Sequence, residues 1–185
     1  MRRRAARKPL VAIALALAAF ALPAHATPGA VFIVRHGEKQ SESNEKEVPL
    51  SEAGRARAVR LAAMLKDARI VAIYSTDTVR TLSTAEPLAA AAKITPQIYE
   101  AAGADAAGNL AARISKEHPA ENVLVVGHSN TVGPLVAALG CAEEVRIAPQ
   151  EYDGLWIVMP ASAAGTSRTP GTLRKEPATL LRLRN

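Results

Sequence analysis

The sequence predicts an α/β fold, a three-layer sandwich in which a mainly parallel central sheet carries helices on both faces. Short runs rich in Val and Ile alternate along the chain with longer segments of helical spacing. These runs are apolar at successive positions, which is typical of parallel strands covered on both faces. A chain of 185 residues with one cysteine is long enough for one core and excludes an internal disulfide framework.

The first half of the chain supplies two predicted strands and two helices. A strand is expected at 30–34, followed by a polar loop over 38–49, and a second strand at 70–74. The first helix is expected to run from a cap at Ser51 to Lys66, on apolar residues near helical spacing. The second begins after Thr76 or Asp77, either of which could cap it, holds Arg80 near its first turn and continues to the alanines near 92. The residues that support the first helix are Leu50, Val59, Leu61, Ala62 and Leu65.

The second half continues the same alternation. Its strands are apolar and its helices are bounded by capping or breaking residues, Gly140 among them. The predicted elements are a short strand at 97–99, a helix at 109–116, a strand at 123–126, a helix ending near Leu139, and late strands at 155–159 and 179–183, with a surface loop over 160–177.

The N-terminus has the pattern of a secretory signal. Residues 1–26 carry five basic residues and no acidic one, then the apolar run Leu10–Leu22, then Ala24-His25-Ala26. At about 1.5 Å per residue this run is short for a ~30 Å hydrocarbon core. We expect cleavage near Ala26, a mature domain over 27–185 in the periplasm or outside the cell, and no stable membrane insertion afterwards. The alternative is an uncleaved anchor.

The basic charge belongs mostly to that segment. Of 23 basic and 17 acidic residues in the whole chain, 18 and 17 remain beyond residue 26. Nucleic-acid binding requires a basic face, and the sequence shows none in the remainder. We therefore expect no nucleic-acid partner; the sequence does not indicate an oligomeric state.

Polar residues follow two of the predicted strands at their carboxyl ends. The first strand ends in Arg35-His36-Gly37 and another in His128-Ser129-Asn130, while Arg80 follows a third. Ligands of open α/β sheets bind outside these strand ends, so two arginines and two histidines are expected at one rim. Guanidinium groups bind phosphate oxygens through paired N–H donors. A neutral imidazole can attack phosphorus, and a second, cationic imidazole can stabilise the transferring group, without a metal or other cofactor.

Three motifs in this order resemble the histidine phosphatase superfamily, whose fold is phosphoglycerate-mutase-like. They are Val34-Arg35-His36-Gly37-Glu38, the stretch from Tyr74-Ser75-Thr76 through Arg80-Thr81 to Thr84-Ala85, and Gly127-His128-Ser129-Asn130.

The resemblance implies roles for these residues. His36 would form a phosphohistidine, and Arg35, Arg80 and His128 would complete the phosphate pocket. Gly37, Ser129 and Asn130 would add substrate contacts. The family also supplies a carboxylic acid to protonate the leaving group. Glu100 occupies about that place, with Asp105 and Glu38 as rivals.

The sequence therefore predicts an exported phosphatase of the histidine acid type that hydrolyses a small phosphomonoester. The resemblance to small exported members of this superfamily implies a phosphorylated sugar or another envelope compound as substrate. The alternatives are a mutase-type phosphotransferase, a phosphate-binding module without turnover, a metal site of His36, His128 and Glu38, and an α/β-hydrolase with Ser129 as nucleophile.

Overall fold

The computed structural model describes residues 29–160 and 178–185, so the predicted signal and most of the loop over 160–177 lie outside the described residues. Strands and helices alternate along the described chain in the predicted order. None of these helices is long and apolar enough to cross a membrane. The elements are β1 (Val31–Arg35), α1 (Glu52–Leu65), β2 (Ile70–Ser75), α2 (Val79–Ala92), β3 (Gln97–Ile98), α3 (Ala106–Glu117), β4 (Asn122–Gly127), α4 (Ser129–Ala138), β5 (Gly154–Met159) and β6 (Thr179–Arg184).

The six strands form one sheet in the order β3-β2-β4-β1-β5-β6. The pairs β2–β3, β2–β4 and β1–β4 are parallel, whereas β5 runs antiparallel to both β1 and β6. The predicted fold class is thereby confirmed. The register pairs Arg35 with Gly127, so the chain leaves β1 and β4 at the same height, and His36 and His128 follow side by side.

Each face of the sheet is covered by two helices. Leu61 of α1 and Leu88 of α2 pack with Ile73 and Leu124 on one face. On the other, α3 and α4 bury Leu110, Ile114, Leu135 and Val136 against a second set of strand residues that includes Ile33 and Val125. Both faces of the strands are therefore apolar, as the continuous apolar runs predicted.

One residue that the prediction placed on the apolar face of α1, Val59, lies on the exposed face. The N-cap of α1 is Ser51, whose hydroxyl accepts from the Gly54 N–H, but Val59 is 60% exposed rather than buried. The buried stripe of α1 is Gly54, Ala58, Leu61 and Leu65. Val59 lies one position beyond Ala58, about 100° further around the helix, and so faces away from the sheet.

The cap of α2 was wrong in the prediction. Thr78 caps this helix, its hydroxyl accepting from the Thr81 N–H, rather than Thr76 or Asp77. The Thr76 hydroxyl is instead bonded to His128, and the Asp77 carboxylate is paired with Lys46. Asp77 is thus engaged outside the helix, and Thr76 meets α2 through the Thr81 hydroxyl at 3.0 Å.

Two glycines bring α1 against the turn that leaves β1. A Cβ on Gly54 would lie 2.3 Å from the carbonyl oxygen of Glu38, and a Cβ on Gly37 would lie 2.9 Å from that of Gly54. Side chains at either position would push the helix off the turn. The absence of side chains there lets α1 pack directly against the turn that carries His36.

Candidate active site

Six of the predicted site residues line one cavity at the carboxyl edge of β1 and β4. Its volume is about 390 Å³, and we call it the arginine–histidine cavity. The convergence predicted from chain order is thus present in the structure. The lining residues are Arg35, His36, Lys39, Asn44, Arg80, His128, Ser129 and Asn130.

His36 is held by its own main chain and by the next residue. Its N–H donates to the Gly127 carbonyl over 2.9 Å, which extends the pairing of β1 with β4 by one residue. The ring Nδ1 lies 2.7 Å from the carbonyl oxygen of Gly37. A carbonyl can only accept, so Nδ1 carries the proton and the lone pair of the neutral ring is on Nε2. This is the tautomer that a nucleophile acting through Nε2 requires.

The environment of His36 keeps its ring neutral. Burial is the main cause that lowers its pKa to about 3; the Gly37 carbonyl opposes this shift, while His128, Arg35 and Arg80 add to it. A protonated imidazole has no free lone pair on Nε2. The ring is therefore available as a nucleophile at neutral pH.

His128 is the second ring of the cavity, with its centroid 5.2 Å from that of His36. Its Nε2 lies 2.8 Å from the hydroxyl oxygen of Thr76, and its main-chain N–H donates to the Thr131 hydroxyl. Burial, with Arg80 and Arg35, lowers its pKa to about 4. The expected cationic form is therefore not the state that the protein groups alone favour.

Arg35 is fixed by three main-chain carbonyls of one loop. Its NH1 donates to the carbonyl oxygens of Ala148, Pro149 and Glu151 over 3.1, 2.8 and 2.9 Å. The Tyr152 ring stacks on the guanidinium, with its centroid 3.9 Å from Cζ. Nε is buried and has no hydrogen-bond partner among the described residues. One side of the group is anchored and the other keeps a free donor.

Arg80 is held in a similar way by the polar loop that follows β1. Its NH1 donates to the Glu45 carbonyl over 2.8 Å, and its Nε is likewise buried without a partner in the described part of the chain. Burial lowers the pKa of both guanidinium groups, yet guanidinium stays charged in proteins. The cavity therefore holds two fixed positive charges, each with a donor to spare.

Sequence reasoning missed Lys39 and Asn44 and expected Tyr152 only as a core residue or pocket wall, not as a partner of Arg35. The Lys39 ammonium donates to the carbonyls of Glu42 and Ser43 and to the Asn44 side chain, which folds the polar loop back on itself at the cavity. Lys39 directly follows the first motif but, like Asn44, lies in a polar loop with no periodic pattern. Tyr152 follows a segment without helix or strand, so its stacking on Arg35 depends on tertiary packing alone.

Two predicted residues lie outside the lining of the arginine–histidine cavity. Gly37 contacts its surroundings through its backbone: it accepts from His36, and its N–H donates to the Thr84 hydroxyl over 3.0 Å. Glu100 follows β3, is exposed, and accepts from the Ala102 N–H over 2.9 Å. Gly37 therefore positions His36, and Glu100 is not brought to the two histidines.

The rival acid Glu38 is engaged by another side chain. Arg57 Nε donates to its carboxylate over 3.0 Å, and this bond is the main cause that lowers the Glu38 pKa. The pairing holds this carboxylate on Arg57 of α1, and Glu38 does not line the arginine–histidine cavity. The same pairing contradicts the alternative metal site, and within the described residues no three potential ligands gather for a metal. The other rival, Asp105, is exposed just before α3.

A family model, the histidine phosphatase superfamily (branch 1), matches residues 31–103. No protein with a curated description matches the chain.

Solved structures share the fold at low identity. The protein histidine phosphatase SixA, complexed with tungstate, superposes with a TM-score of 0.62 and 21% identity over 84% of this chain and 96% of its own. The putative phosphohistidine phosphatase SixA from Agrobacterium tumefaciens gives 0.55 and 22% over 71% and 92%. Mycobacterial glucosyl-3-phosphoglycerate phosphatase with inorganic phosphate gives 0.56 and 18% over 70% and 89%. Sequence identities this low show a shared fold and nothing further. This fold is not that of the α/β-hydrolases, which contradicts the alternative with Ser129 as nucleophile.

The buried neutral state of His36 predicts how stability depends on pH. An imidazole in the unfolded chain has a pKa of about 6.5, against about 3 when folded. Between these values the unfolded chain binds a proton that the folded chain does not, so acidification favours unfolding. From pH 6.5 to 4.5 the free energy of unfolding should fall more steeply for the parent than for His36→Asn, by up to about 1.4 kcal/mol per pH unit.

Urea titrations at several pH values measure this difference. Above pH 7.5 the imidazole is neutral in both states, so there the difference between parent and variant should not change with pH. Parallel curves below pH 6.5 would show that His36 is not buried in its neutral form.

Proposed function

We propose that this protein is a histidine phosphatase that hydrolyses small phosphomonoesters through a phosphohistidine on His36. One observation carries the proposal. A buried histidine with its lone pair on Nε2 shares a cavity with two guanidinium groups whose buried Nε donors have no partner in the described protein. Fixed donors and positive charge beside a nucleophile suit transfer of a phosphoryl dianion.

The comparisons support the same proposal from a different direction. The family model covers the segment that holds Arg35, His36 and Arg80 but ends before His128, so the place of His128 in the site rests on the cavity geometry. Two solved structures of this fold are of phosphatases with tungstate or inorganic phosphate bound. Both ions are tetrahedral oxyanions, the shape that we propose for the ligand here.

The reaction has two steps. In the first, His36 Nε2 forms a bond to phosphorus while the bond from phosphorus to the leaving oxygen breaks, and that oxygen takes a proton from an acid. Arg35 and Arg80 stabilise the charge on the three equatorial oxygens. In the second, water attacks phosphorus, loses a proton to the same group, and frees phosphate and the His36 ring.

His128 takes a role that depends on the substrate. The two arginines help to keep its pKa low, and a bound dianion offsets their charge. Since an opposite charge favours the charged imidazole, substrate binding raises the tendency of His128 to take up a proton. The ring then becomes a cationic donor to the phosphoryl group.

Glu100 is our candidate for the proton donor. It stands between Tyr99 and Ala101, which both line a second cavity that meets the arginine–histidine cavity at Asn130. A leaving group that extends into that second cavity would pass this part of the chain. The carboxyl of Glu100 would have to exchange its bond with the Ala102 N–H for one with the leaving oxygen.

We also propose that the protein works in the periplasm or outside the cell, after cleavage near Ala26. The support is the sequence pattern of residues 1–26 alone. The substrate would then be an envelope phosphomonoester, with a phosphorylated sugar as the class suggested by resemblance.

Replacing the nucleophile tests the mechanism. The parent, mixed rapidly with a ³²P-labelled phosphomonoester and quenched in base, should retain protein-bound label, because phosphohistidine survives base. His36→Ala should retain none and should lose about 10³-fold or more in kcat/KM for p-nitrophenyl phosphate. His118→Ala, a histidine outside the cavity lining, is the control and should behave as the parent. Label that persists in His36→Ala would remove the proposed nucleophile.

The acid is tested by comparing leaving groups. Ethoxide needs a proton as it departs, whereas p-nitrophenolate is stable without one. If Glu100 is the donor, Glu100→Gln should lower kcat/KM for ethyl phosphate at least tenfold more than for p-nitrophenyl phosphate, within the 10²–10⁴-fold range, roughly, of general acid catalysis. Asp105→Asn is the matched control and should change neither value. An equal loss for both substrates, or none, would contradict the role of Glu100.

A further inference from the structure

A second cavity lies beside the arginine–histidine cavity, between the first turns of α3 and α4. Its volume is about 270 Å³, and we call it the alanine-rich cavity. The loop that follows β3 and the starts of both helices build it. Its lining residues are Tyr99, Ala101, Gly103, Ala104, Ala106, Ala107, Leu110, Asn130, Thr131, Pro134 and Leu135.

No charged side chain of the described protein lines the alanine-rich cavity. Three side chains there have polar groups. The Thr131 hydroxyl accepts from the His128 N–H over 2.8 Å and lies 3.2 Å from the His128 carbonyl oxygen, and the Tyr99 hydroxyl lies with it against Gly127. Asn130, which also lines the arginine–histidine cavity, has a side-chain amide that can meet a polar ligand. A sugar carries several hydroxyl groups that each need a partner, and the side chains of this lining, most of them alanine, leucine, proline or glycine, supply few.

The two cavities adjoin. Asn130 lines both of them, and α4, which carries it, begins directly after His128. A phosphoryl group beside His36 and the two arginines would therefore have its ester oxygen near the entrance to the alanine-rich cavity. The remainder of the substrate can then occupy the alanine-rich cavity without passing the two arginine side chains.

We propose that the alanine-rich cavity binds the leaving group, and that the preferred substrates are phosphomonoesters of uncharged, apolar alcohols of about the size of one substituted aromatic ring. The inference rests on the proposed phosphatase function. An apolar cavity of about 150 Å³ holds benzene, so the larger space here takes a ring with a short linker. Burial of that ring against alanine and leucine side chains supplies the binding energy. This favours an apolar ester over the phosphorylated sugar suggested by the resemblance.

Two esters that differ by one ring provide the test. Both 2-phenylethyl phosphate and ethyl phosphate release an alkoxide, so their intrinsic reactivity is similar and the comparison isolates binding of the ring. We expect kcat/KM of the parent for 2-phenylethyl phosphate to exceed that for ethyl phosphate at least tenfold, and glucose 6-phosphate to be no better than ethyl phosphate. Equal values for the first two esters, or a preference for the sugar phosphate, would overturn the inference.

Variants locate the effect in the cavity. Ala107→Leu fills part of the space and should lower the ratio of the two kcat/KM values at least fivefold. Ala112→Leu makes the same change at an exposed position of the same helix and should leave the ratio within twofold of the parent. Ala101→Leu, on the loop, repeats the test outside the helix in case Ala107→Leu fails to fold. An unchanged ratio in the folded variants would place the ring elsewhere.

The same assays separate this inference from the function on which it rests. Hydrolysis that depends on His36 but shows no preference for the ring leaves the phosphatase intact and removes only the apolar site. No hydrolysis of any ester, p-nitrophenyl phosphate included, would remove the proposed function and this inference with it.

Discussion

This site depends on two buried guanidinium groups, Arg35 tied through NH1 to three main-chain carbonyls and Arg80 to one. Each has a buried Nε without a partner in the described protein. A buried donor without an acceptor costs about 1–3 kcal/mol, and native structures contain few of them. Here two occur at one cavity, and both belong to positively charged groups. An anion with several acceptor oxygens would satisfy both donors and both charges together.

The rest of the architecture holds those groups in place. The common register of β1 and β4 sets His36 beside His128. Arg35 is fixed by carbonyls of the loop before β5, and Arg80 by the Glu45 carbonyl of the polar loop after β1. Because each contact joins segments distant in the chain, the cavity depends on tertiary structure and not on any one segment. The neutral His36 ring, with its lone pair on Nε2, therefore shares one cavity with two positively charged side chains.

Sequence reasoning reached those parts that depend on local pattern. The apolar runs of β1 and β4 and the polar residues directly after them predicted that Arg35, His36, Arg80 and His128 would meet. What it missed depends on tertiary contacts. Thr78 replaced Thr76 as the cap of α2 because the Thr76 hydroxyl bonds to His128 across the sheet. Lys39 reaches the cavity and Tyr152 stacks on Arg35 from segments without a periodic pattern. Glu38, two residues after the nucleophile, is paired with Arg57 of α1.

The central claim is that these groups form a site for one tetrahedral phosphoryl group in line with His36. The most direct measurement is a crystal structure of the protein with orthovanadate. We predict vanadium within bonding distance of His36 Nε2, with the Nε donors of both Arg35 and Arg80 on its oxygens. Vanadate bound away from His36, or bound with either guanidinium turned from it, would contradict the account.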